Sequence, residues 1–310
     1  MKTGSRTSRA FTLMELLVSI GIIVVLLGIS FTIVRIIRNQ VIEMTSASNI
    51  RQWGIANALF LGDHNQVFSR DGWKQHNQMS YNFEDPLWWG NALPEYIGSV
   101  PYAEYAEAAA TTGDGMTVPP ADSIFVDPAA DLPSIAGSGN SYLWRNRLGY
   151  VVANDTVTPQ RCYFFSYVPN AQLENTLVDN ANQNAIDIGA GPLNGFQENN
   201  MRIRLSQIPD PTSTVQMIEK RTSESELPLD DPFYDEDLKR QKSDWQRFAA
   251  RHRGGGHLLF IDGHVEWMSN VDATTPNDPQ YPRGEGPDSA YDKPNLIWDP
   301  IAHKQTWFAY

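Results

Sequence analysis

The sequence predicts an α+β protein in which one long N-terminal helix packs on an antiparallel β-sheet. An apolar run begins at residue 11 and continues as an amphipathic pattern to about residue 61. The pair Asp262-Gly263 stands between two apolar runs near the C-terminus, which is typical of a β-hairpin. The chain also contains 22 Gly and 20 Pro, which favours a loop-rich domain over a helical bundle.

Length and charge restrict the class of protein. About 260 residues remain after a basic leader and the apolar run, enough for one large domain or two small ones. The formal net charge is −12, and the leader, residues 1–10, carries only basic groups, so the acidic excess lies in the rest of the chain. Such a chain is a poor partner for nucleic acid and for anionic lipid headgroups. The single cysteine, Cys162, excludes an intramolecular disulfide and a zinc site built from cysteines.

The apolar run, residues 11–34, contains one ionisable side chain, Glu15. As a helix that rises about 1.5 Å per residue, it is long enough to cross a hydrocarbon core about 30 Å thick. The run is too long for the apolar core of a secretory signal, and no small-residue cleavage site follows it. These residues alone predict a single-pass membrane anchor, with the basic leader in the cytoplasm.

The junction between leader and apolar run carries a more specific pattern. The segment RAFTLMELL, residues 9–17, resembles the N-terminal signal of type IV pilins and type II secretion pseudopilins. The resemblance implies that a prepilin peptidase in the bacterial inner membrane cuts between Ala10 and Phe11 and methylates the new amine of Phe11. The family usually has Gly before the cut, so Ala10 is a departure that implies slower processing.

Glu15 is the fifth residue after the implied cut. A charged side chain deep in a bilayer costs about 2.5–3.5 kcal/mol on insertion scales, so Glu15 needs a partner. The resemblance implies that this partner is the N-terminal amine of a neighbouring subunit, and that the pairing sets the stagger of helices in a filament. A carboxylate that reaches the membrane surface without a partner is the alternative.

The resemblance also implies a division of the chain. Residues 11–34 are predicted as the transmembrane and assembly helix, residues 35–61 as a periplasmic stem helix, and residues 62–310 as a soluble pilin-like domain with loop-rich insertions, the lollipop form of the family. Ile50, Trp53 and Ala56 keep helical spacing and are expected to face the domain. His64, just after the expected end of the helix, is predicted as a cap rather than a metal ligand.

The middle of the chain, about residues 65–205, is predicted as a variable insertion. Strands are predicted at residues 123–126, 142–144, 150–152 and 162–168, and a short helix or surface loop at residues 101–115. A group of aromatic residues is predicted to pack in the core. Its alternative role is to stack on sugar rings, which would make the chain a membrane-anchored glycan-binding protein. The group comprises Trp73, Tyr81, Phe83, Trp88 and Trp89.

The C-terminal region carries the clearest strand signals. A strand is predicted at residues 215–218, and a hairpin at residues 252–268 with Asp262-Gly263 as a two-residue type I′ turn. In that register Phe260 faces Val265. Alternation then places two sets of side chains on opposite faces. The set expected to face the stem helix is Leu258, Phe260, Val265 and Trp267, and the opposite set is His257, Leu259, Ile261, His264 and Glu266.

His252, nine intervening residues and Asp262-Gly263 also match the H-x9-DG signature of many pseudopilin-like proteins. His252, His257, His264 and Asp262 are suitable metal-ligand types, and a metal-dependent enzyme built on them is a third hypothesis. A structural role is preferred because the turn already explains Asp262 and the histidine rings need not converge. His252 is expected to bond to the glycine-run backbone or to the turn. No Ser-His-Asp triad or carboxylate pair stands out, so no enzymatic activity is expected.

The tail, residues 269–310, is rich in Asp, Pro and Gly. Its oxygen ligands are suitable for Ca²⁺, and major pseudopilins of type II secretion carry a C-terminal calcium loop. The spacing is not that of an EF-hand, so a solvated loop without a cofactor is preferred. Three aromatic residues are expected to hold the tail on the domain: Trp298, Trp307 and Phe308.

Taken together, the resemblance implies a structural pseudopilin-like subunit in a secretion or pilus-type filament. Its partners would be the prepilin peptidase, other pilin-like subunits and the inner membrane, with the C-terminal domain in the periplasm. Nucleic acid is not an expected partner.

Overall fold

The computed structural model describes residues 13–69, 86–112, 116–117, 119–131, 162–173, 177–179, 184–186, 204–223, 226 and 243–300. The chain divides into two units, residues 1–44 and 45–310. The implied cleavage residues Ala10 and Phe11 lie outside the described ranges. So do the predicted strands at 142–144 and 150–152 and five of the aromatic residues discussed above: Trp73, Tyr81, Phe83, Trp307 and Phe308.

Helix α1 is a single helix, Leu13–Asp63. In the first unit, every large apolar side chain of residues 13–37 is at least 49% exposed. By length and composition, this part of the helix is long and apolar enough to cross a membrane.

Within the second unit, the predicted apolar stripe of α1 is confirmed. Ile50, Trp53, Ala56 and Phe60 are buried, three or four residues apart, as one face of a helix requires. The helix ends within two residues of its expected end. His64 caps it as predicted, because its Nδ1 lies 3.0 Å from the Phe60 carbonyl oxygen.

The remaining helices are α2 (Trp89–Glu95), α3 (Tyr102–Thr112) and α4 (Asn270–Thr274). The described strands form three sheets. β1 (Met116–Thr117) pairs with β2 (Cys162–Tyr163), and β4 (Leu177–Asp179) pairs with β5 (Asn184–Ile186). The main sheet is antiparallel, in the order β3 (Tyr167–Pro169), β6 (Val215–Glu219), β7 (Gly255–Phe260) and β8 (Val265–Ser269). The predicted α+β class is therefore confirmed.

Of the other predicted strands and helices, some are confirmed and one is wrong. The strand at 215–218 is confirmed as β6, and residues 101–115, predicted as a short helix or surface loop, contain helix α3. The predicted strand at 162–168 is two short strands, β2 and β3. The predicted strand at 123–126 is wrong, because these residues form consecutive turns, with Val126 N–H donating to the Ser123 carbonyl at 3.0 Å. The apolar run at residues 124–126 reflects burial of these turns in the core and does not indicate a strand.

The C-terminal hairpin lies where it was predicted, but its turn is different. Phe260 N–H donates to the His264 carbonyl at 3.0 Å, and Gly263 N–H donates to the Phe260 carbonyl at 2.9 Å. The loop therefore has three residues, and only Gly263 has a positive φ, +93°. This is the common three-residue hairpin, a turn followed by a glycine bulge, rather than a type I′ turn, which needs two positive φ values.

The extra loop residue shifts the register by one and corrects the predicted faces. Leu259 pairs with Val265, and His257 pairs with Trp267. Residues opposite each other in an antiparallel pair share a face, so His257 and Leu259 lie with Trp267 rather than away from it. This face meets α1, since a Cβ built at Gly54 would lie 2.8 Å from Leu259 Cδ1.

Aromatic residues fill the core beside α1. Trp88 and Trp89 are buried, as predicted, and Trp89 lies 5.5 Å from Trp53 between ring centroids. Because the indole rings of Trp88 and Trp89 are buried in the core, they are not free to stack on a sugar. The described tail is packed only in part: Trp298 is buried as expected and Tyr291 stacks on Trp245 at 3.6 Å, whereas most of residues 275–287 are exposed, as a solvated loop predicts.

Candidate functional site

Polar side chains form a row across the main sheet on the face that meets α1. Tyr167 on β3 pairs with Glu219 on β6. Because Met217 pairs with Leu259, Glu219 lies opposite His257 of β7, and its Oε1 is 2.7 Å from His257 Nδ1. All three residues are buried. The period of two along each strand therefore places a phenol, a carboxylate and an imidazole side by side in the core.

Ser46 of α1 lies over this row. Its Oγ lies 2.9 Å from the Tyr167 hydroxyl. The Ser46 hydroxyl also donates a hydrogen bond to Glu219 Oε1. The same Oγ is 2.8 Å from Asp127 Oδ2. Ser46 is fully buried, so the contact replaces water for every group involved.

Asp127 follows the buried turns at 123–126. Ala129 N–H donates to its Oδ1 at 2.7 Å, which fixes the carboxylate on its own loop. Its Oδ2 lies 3.0 Å from His252 Nε2. Asp127 therefore links the loop, the helix through Ser46, and the segment that precedes β7.

Arg251 and His252 complete the cluster. Arg251 Nε donates to Glu226 at 3.1 Å, and Arg251 NH1 lies 3.6 Å from Asp127 Oδ2. His252 exchanges backbone hydrogen bonds with Gly255, and its carbonyl accepts from Trp267 Nε1 at 2.8 Å. His252 Nε2 is also 3.7 Å from Glu219 Oε2. We call Ser46, Asp127, Tyr167, Glu219, Arg251, His252 and His257 the polar cluster.

Burial and the neighbouring charged groups oppose each other at Asp127 and His252, whereas burial and the neighbouring carboxylates act in the same direction at Tyr167. Burial alone raises the pKa of Asp127, but the Arg251 charge and the His252 hydrogen bond outweigh it and lower this pKa to about 2. Burial alone lowers the pKa of His252, yet the Asp127 hydrogen bond and the Glu219 charge leave it above its usual value. Burial, reinforced by the neighbouring carboxylates, raises the pKa of Tyr167 well above 10, so its hydroxyl keeps its proton.

The structure separates the residues that the H-x9-DG motif groups together. His252 enters the polar cluster through its side chain, which bonds to Asp127 and not to the glycine run or the turn as predicted; only its backbone pairs with the glycine run. Asp262 and Gly263 form the tip of the hairpin. There Asp262 Oδ1 accepts from His264 N–H at 3.1 Å and lies 2.6 Å from His264 Nδ1 on the surface. His264 and Asp262 therefore do not join His252 and His257.

Sequence reasoning found His252 and His257 but missed their partners. Ser46 stands in a helix, Asp127 in a turn and Glu219 at the end of a strand, and no motif spacing connects them. The available signal was the ionisable residue at the end of an otherwise apolar strand, VQMIE, at residues 215–219. Glu15, the predicted assembly residue, lies in the first turn of α1.

The cluster contains a serine, a histidine and an aspartate, but not in the order of a nucleophilic triad. In a triad the histidine lies between the other two and accepts the serine proton. Here Asp127 lies between them, because Ser46 donates to a carboxylate and His252 bonds to that same carboxylate. The arrangement suits joining elements or holding a cation, and it does not activate a nucleophile.

Three acidic side chains of the described tail accept hydrogen bonds from nearby residues. Asp292 accepts from Trp298 N–H at 2.6 Å, Asp278 from Gln280 N–H at 2.9 Å, and Asp288 from Trp245 Nε1 at 2.8 Å. Among the residues that the structure describes, the group of three side chains placed to share a metal ion is Glu219, His252 and His257, and none of these belongs to the tail.

No family model, no curated protein and no solved structure matches this chain.

Proposed function

We propose that the chain is a structural, pilin-like subunit that is cleaved between Ala10 and Phe11 and assembles through α1 into a secretion or pilus-type filament. The observation that carries the proposal is the exposed apolar stretch of α1. Large apolar side chains of residues 13–37 are all at least 49% exposed, far beyond the apolar patch of an ordinary soluble protein. Such a surface needs a bilayer, other copies of the same helix, or both in succession.

Glu15 is the specific feature within that stretch. In a plain anchor the charge of this carboxylate opposes insertion into the bilayer. A subunit whose helix leaves the bilayer for a filament gains an ion pair with the amine that cleavage creates on Phe11 of its neighbour. The basic leader, the small residue at position 10 and the carboxylate at position 15 together support this interpretation. The pilin-like form of the folded domain belongs to the same proposal.

Processing is tested by mass spectrometry of the N-terminus. In cells that contain a prepilin peptidase, the mature chain should begin at Phe11 and carry one added methyl group. In cells without the peptidase, Met1 or the residue after it should remain. Ala10→Gly should be cleaved at least as fast as the natural chain, and Ala10→Leu more slowly. An intact leader in peptidase-containing cells contradicts the proposal.

Assembly is tested separately with Glu15→Ala. This variant should still insert and be cleaved, but it should fail to enter sedimentable filaments, because the amine of the neighbouring subunit has lost its partner. Glu43→Ala removes the same side chain from a later turn of the same helix and serves as the control. Unchanged incorporation of the Glu15 variant would remove the proposed pairing.

A further inference from the structure

Two imidazoles and one carboxylate converge inside the polar cluster. One ligand-type atom from each of Glu219, His252 and His257 lies within 4.8 Å of the other two, and all three side chains are buried. In a tetrahedral zinc site with bonds of about 2.0–2.1 Å, neighbouring donor atoms stand about 3.3 Å apart. Glu219 Oε1 lies 2.7 Å from His257 Nδ1, and Glu219 Oε2 lies 3.7 Å from His252 Nε2, so each imidazole faces a different oxygen of the carboxylate.

The carboxylate of Glu219 is incompletely satisfied. Its Oε2 is fully buried and has no hydrogen-bond partner among the described residues. Leaving a buried oxygen of a charged group without a partner costs more than leaving a neutral one. Glycine at 256 preserves the space next to this oxygen, because a Cβ there would lie 2.9 Å from it.

The carboxylates of Asp127 and Glu219 also share too few hydrogen-bond donors. Ser46 has one hydroxyl proton, but both Asp127 Oδ2 and Glu219 Oε1 lie within hydrogen-bond distance of its Oγ. Arg251 is directed toward Asp127 and Glu226, so it does not supply a hydrogen bond to Glu219. A divalent cation beside Glu219 would supply the contact that Oε2 lacks.

The three side chains are held by rigid elements. Glu219 and His257 are cross-strand neighbours in the centre of the main sheet, and His252 is fixed by its backbone pairing with Gly255 and by Trp267 Nε1. Asp127 Oδ2, 3.0 Å from His252 Nε2, is a further oxygen donor beside the same site. Donors fixed in this way lose little entropy when they bind an ion.

We propose that Glu219, His252 and His257 bind one zinc ion as a buried structural site. Two imidazole nitrogens and a carboxylate suit zinc, whereas calcium and magnesium prefer oxygen ligands alone. Because the site is buried, the ion would join β6 to the start of β7, and through Ser46 and Asp127 to α1 and the loop. This inference does not depend on the proposed assembly function.

The test uses the full chain in detergent, purified from cells grown with added zinc and then dialysed against EDTA to remove surface ions. Metal analysis should find about one zinc per chain in the natural protein. Glu219→Gln and His257→Gln should each retain less than about one tenth of that amount. His264→Gln is the matched control, since it removes an exposed histidine of the same hairpin and should retain zinc in full.

Loss of zinc from the natural chain during dialysis, or equal retention in all four proteins, would overturn the proposal. If a variant fails to fold, the natural chain is instead expressed with Co²⁺ in place of zinc. A tetrahedral site with two nitrogen ligands should then give intense visible d–d absorption, and the absence of that absorption also overturns the proposal.

Discussion

Ser46 Oγ on helix α1 lies 2.8 Å from Asp127 Oδ2, across 81 residues of sequence. Ser46 is also the first buried position among the described side chains of the helix, which are exposed or half-buried before it. In chain order, the first buried side chain of the folded unit, residues 45–310, is therefore polar and not apolar.

Replacing this serine should reveal its contribution. Ser46→Ala removes the hydroxyl between Asp127, Glu219 and Tyr167 and should lower the free energy of unfolding by about 1–3 kcal/mol, because buried acceptors lose a donor. Denaturant unfolding of the full chain in detergent, followed by tryptophan fluorescence, measures the change. Ser48→Ala, exposed and half a turn away, should change stability by less than about 0.5 kcal/mol. Equal effects of the two variants would contradict the role given to Ser46.

Gly54 allows α1 to approach the sheet closely. Gly54→Ala places a Cβ 2.8 Å from Leu259 Cδ1 and should destabilise the fold by about 1–3 kcal/mol, despite the better helix propensity of alanine. Gly62→Ala, in the same helix with nothing within 4 Å of the new Cβ, should instead be neutral or stabilise by up to about 1 kcal/mol. The opposite signs distinguish close packing from helix propensity. Combining Gly54→Ala with Leu259→Val should recover part of the loss.

Gly263 tests the three-residue hairpin loop. Its φ is +93° and nothing lies within 4 Å of an added Cβ, so any cost of substitution comes from the backbone alone. Gly263→Ala should destabilise by about 1–2 kcal/mol, and Gly263→Asn by less, because asparagine tolerates positive φ better. Thermal unfolding of the three proteins gives the order. An alanine variant as stable as the natural chain would contradict this loop geometry.

Asp288 provides a pH-dependent prediction outside the polar cluster. Burial raises its pKa, with the Asp299 charge acting in the same direction, while hydrogen bonds from Trp245 and Gln172 act against this rise without cancelling it. A raised pKa means that the folded state disfavours the charged form. The contribution of Asp288 to the free energy of unfolding therefore falls as the pH rises from about 3.8, the ordinary value, through the folded pKa.

Asp288→Asn keeps an oxygen that can accept from Trp245 Nε1 but removes the charge. Below pH 3.8 the variant should have no advantage over the natural chain, and above the folded pKa of Asp288 it should be at least as stable. Unfolding free energies measured from pH 3 to pH 8 test this. A variant whose stability relative to the natural chain falls as the pH rises would contradict the stated sign.

The predictable parts of the molecule were those with local signals. Helical spacing at Ile50, Trp53 and Ala56 predicted the buried face of α1, and Asp262-Gly263 placed the hairpin. The loop length was wrong because an Asp-Gly pair fits both a two-residue turn and the end of a three-residue loop, and the difference depends on one φ angle. That single residue reversed the predicted faces of β7.

The polar cluster was out of reach because its members are distant in sequence. Glu219 and His257 meet only once β6 and β7 pair, and Ser46 and Asp127 meet only once the helix and loop pack. The strand predicted at residues 123–126 was wrong for a different reason. An apolar run such as Ile124-Phe125 gives the same pattern in a buried turn as in a strand.

The hairpin also explains why spacing matters between His252 and Asp262. His252 anchors one end of this segment in the core, and Asp262 closes the other end at the surface. Between them, β7 must deliver His257 to Glu219 and Leu259 to Gly54. Adding or deleting one residue between His252 and His257 would turn both side chains to the other face, and a change of two would keep the face but move His257 away from its position opposite Glu219. The length of this segment therefore determines both the face and the position of each side chain, and a change of one residue would need a β-bulge such as the one between Val215 and Met217 of β6.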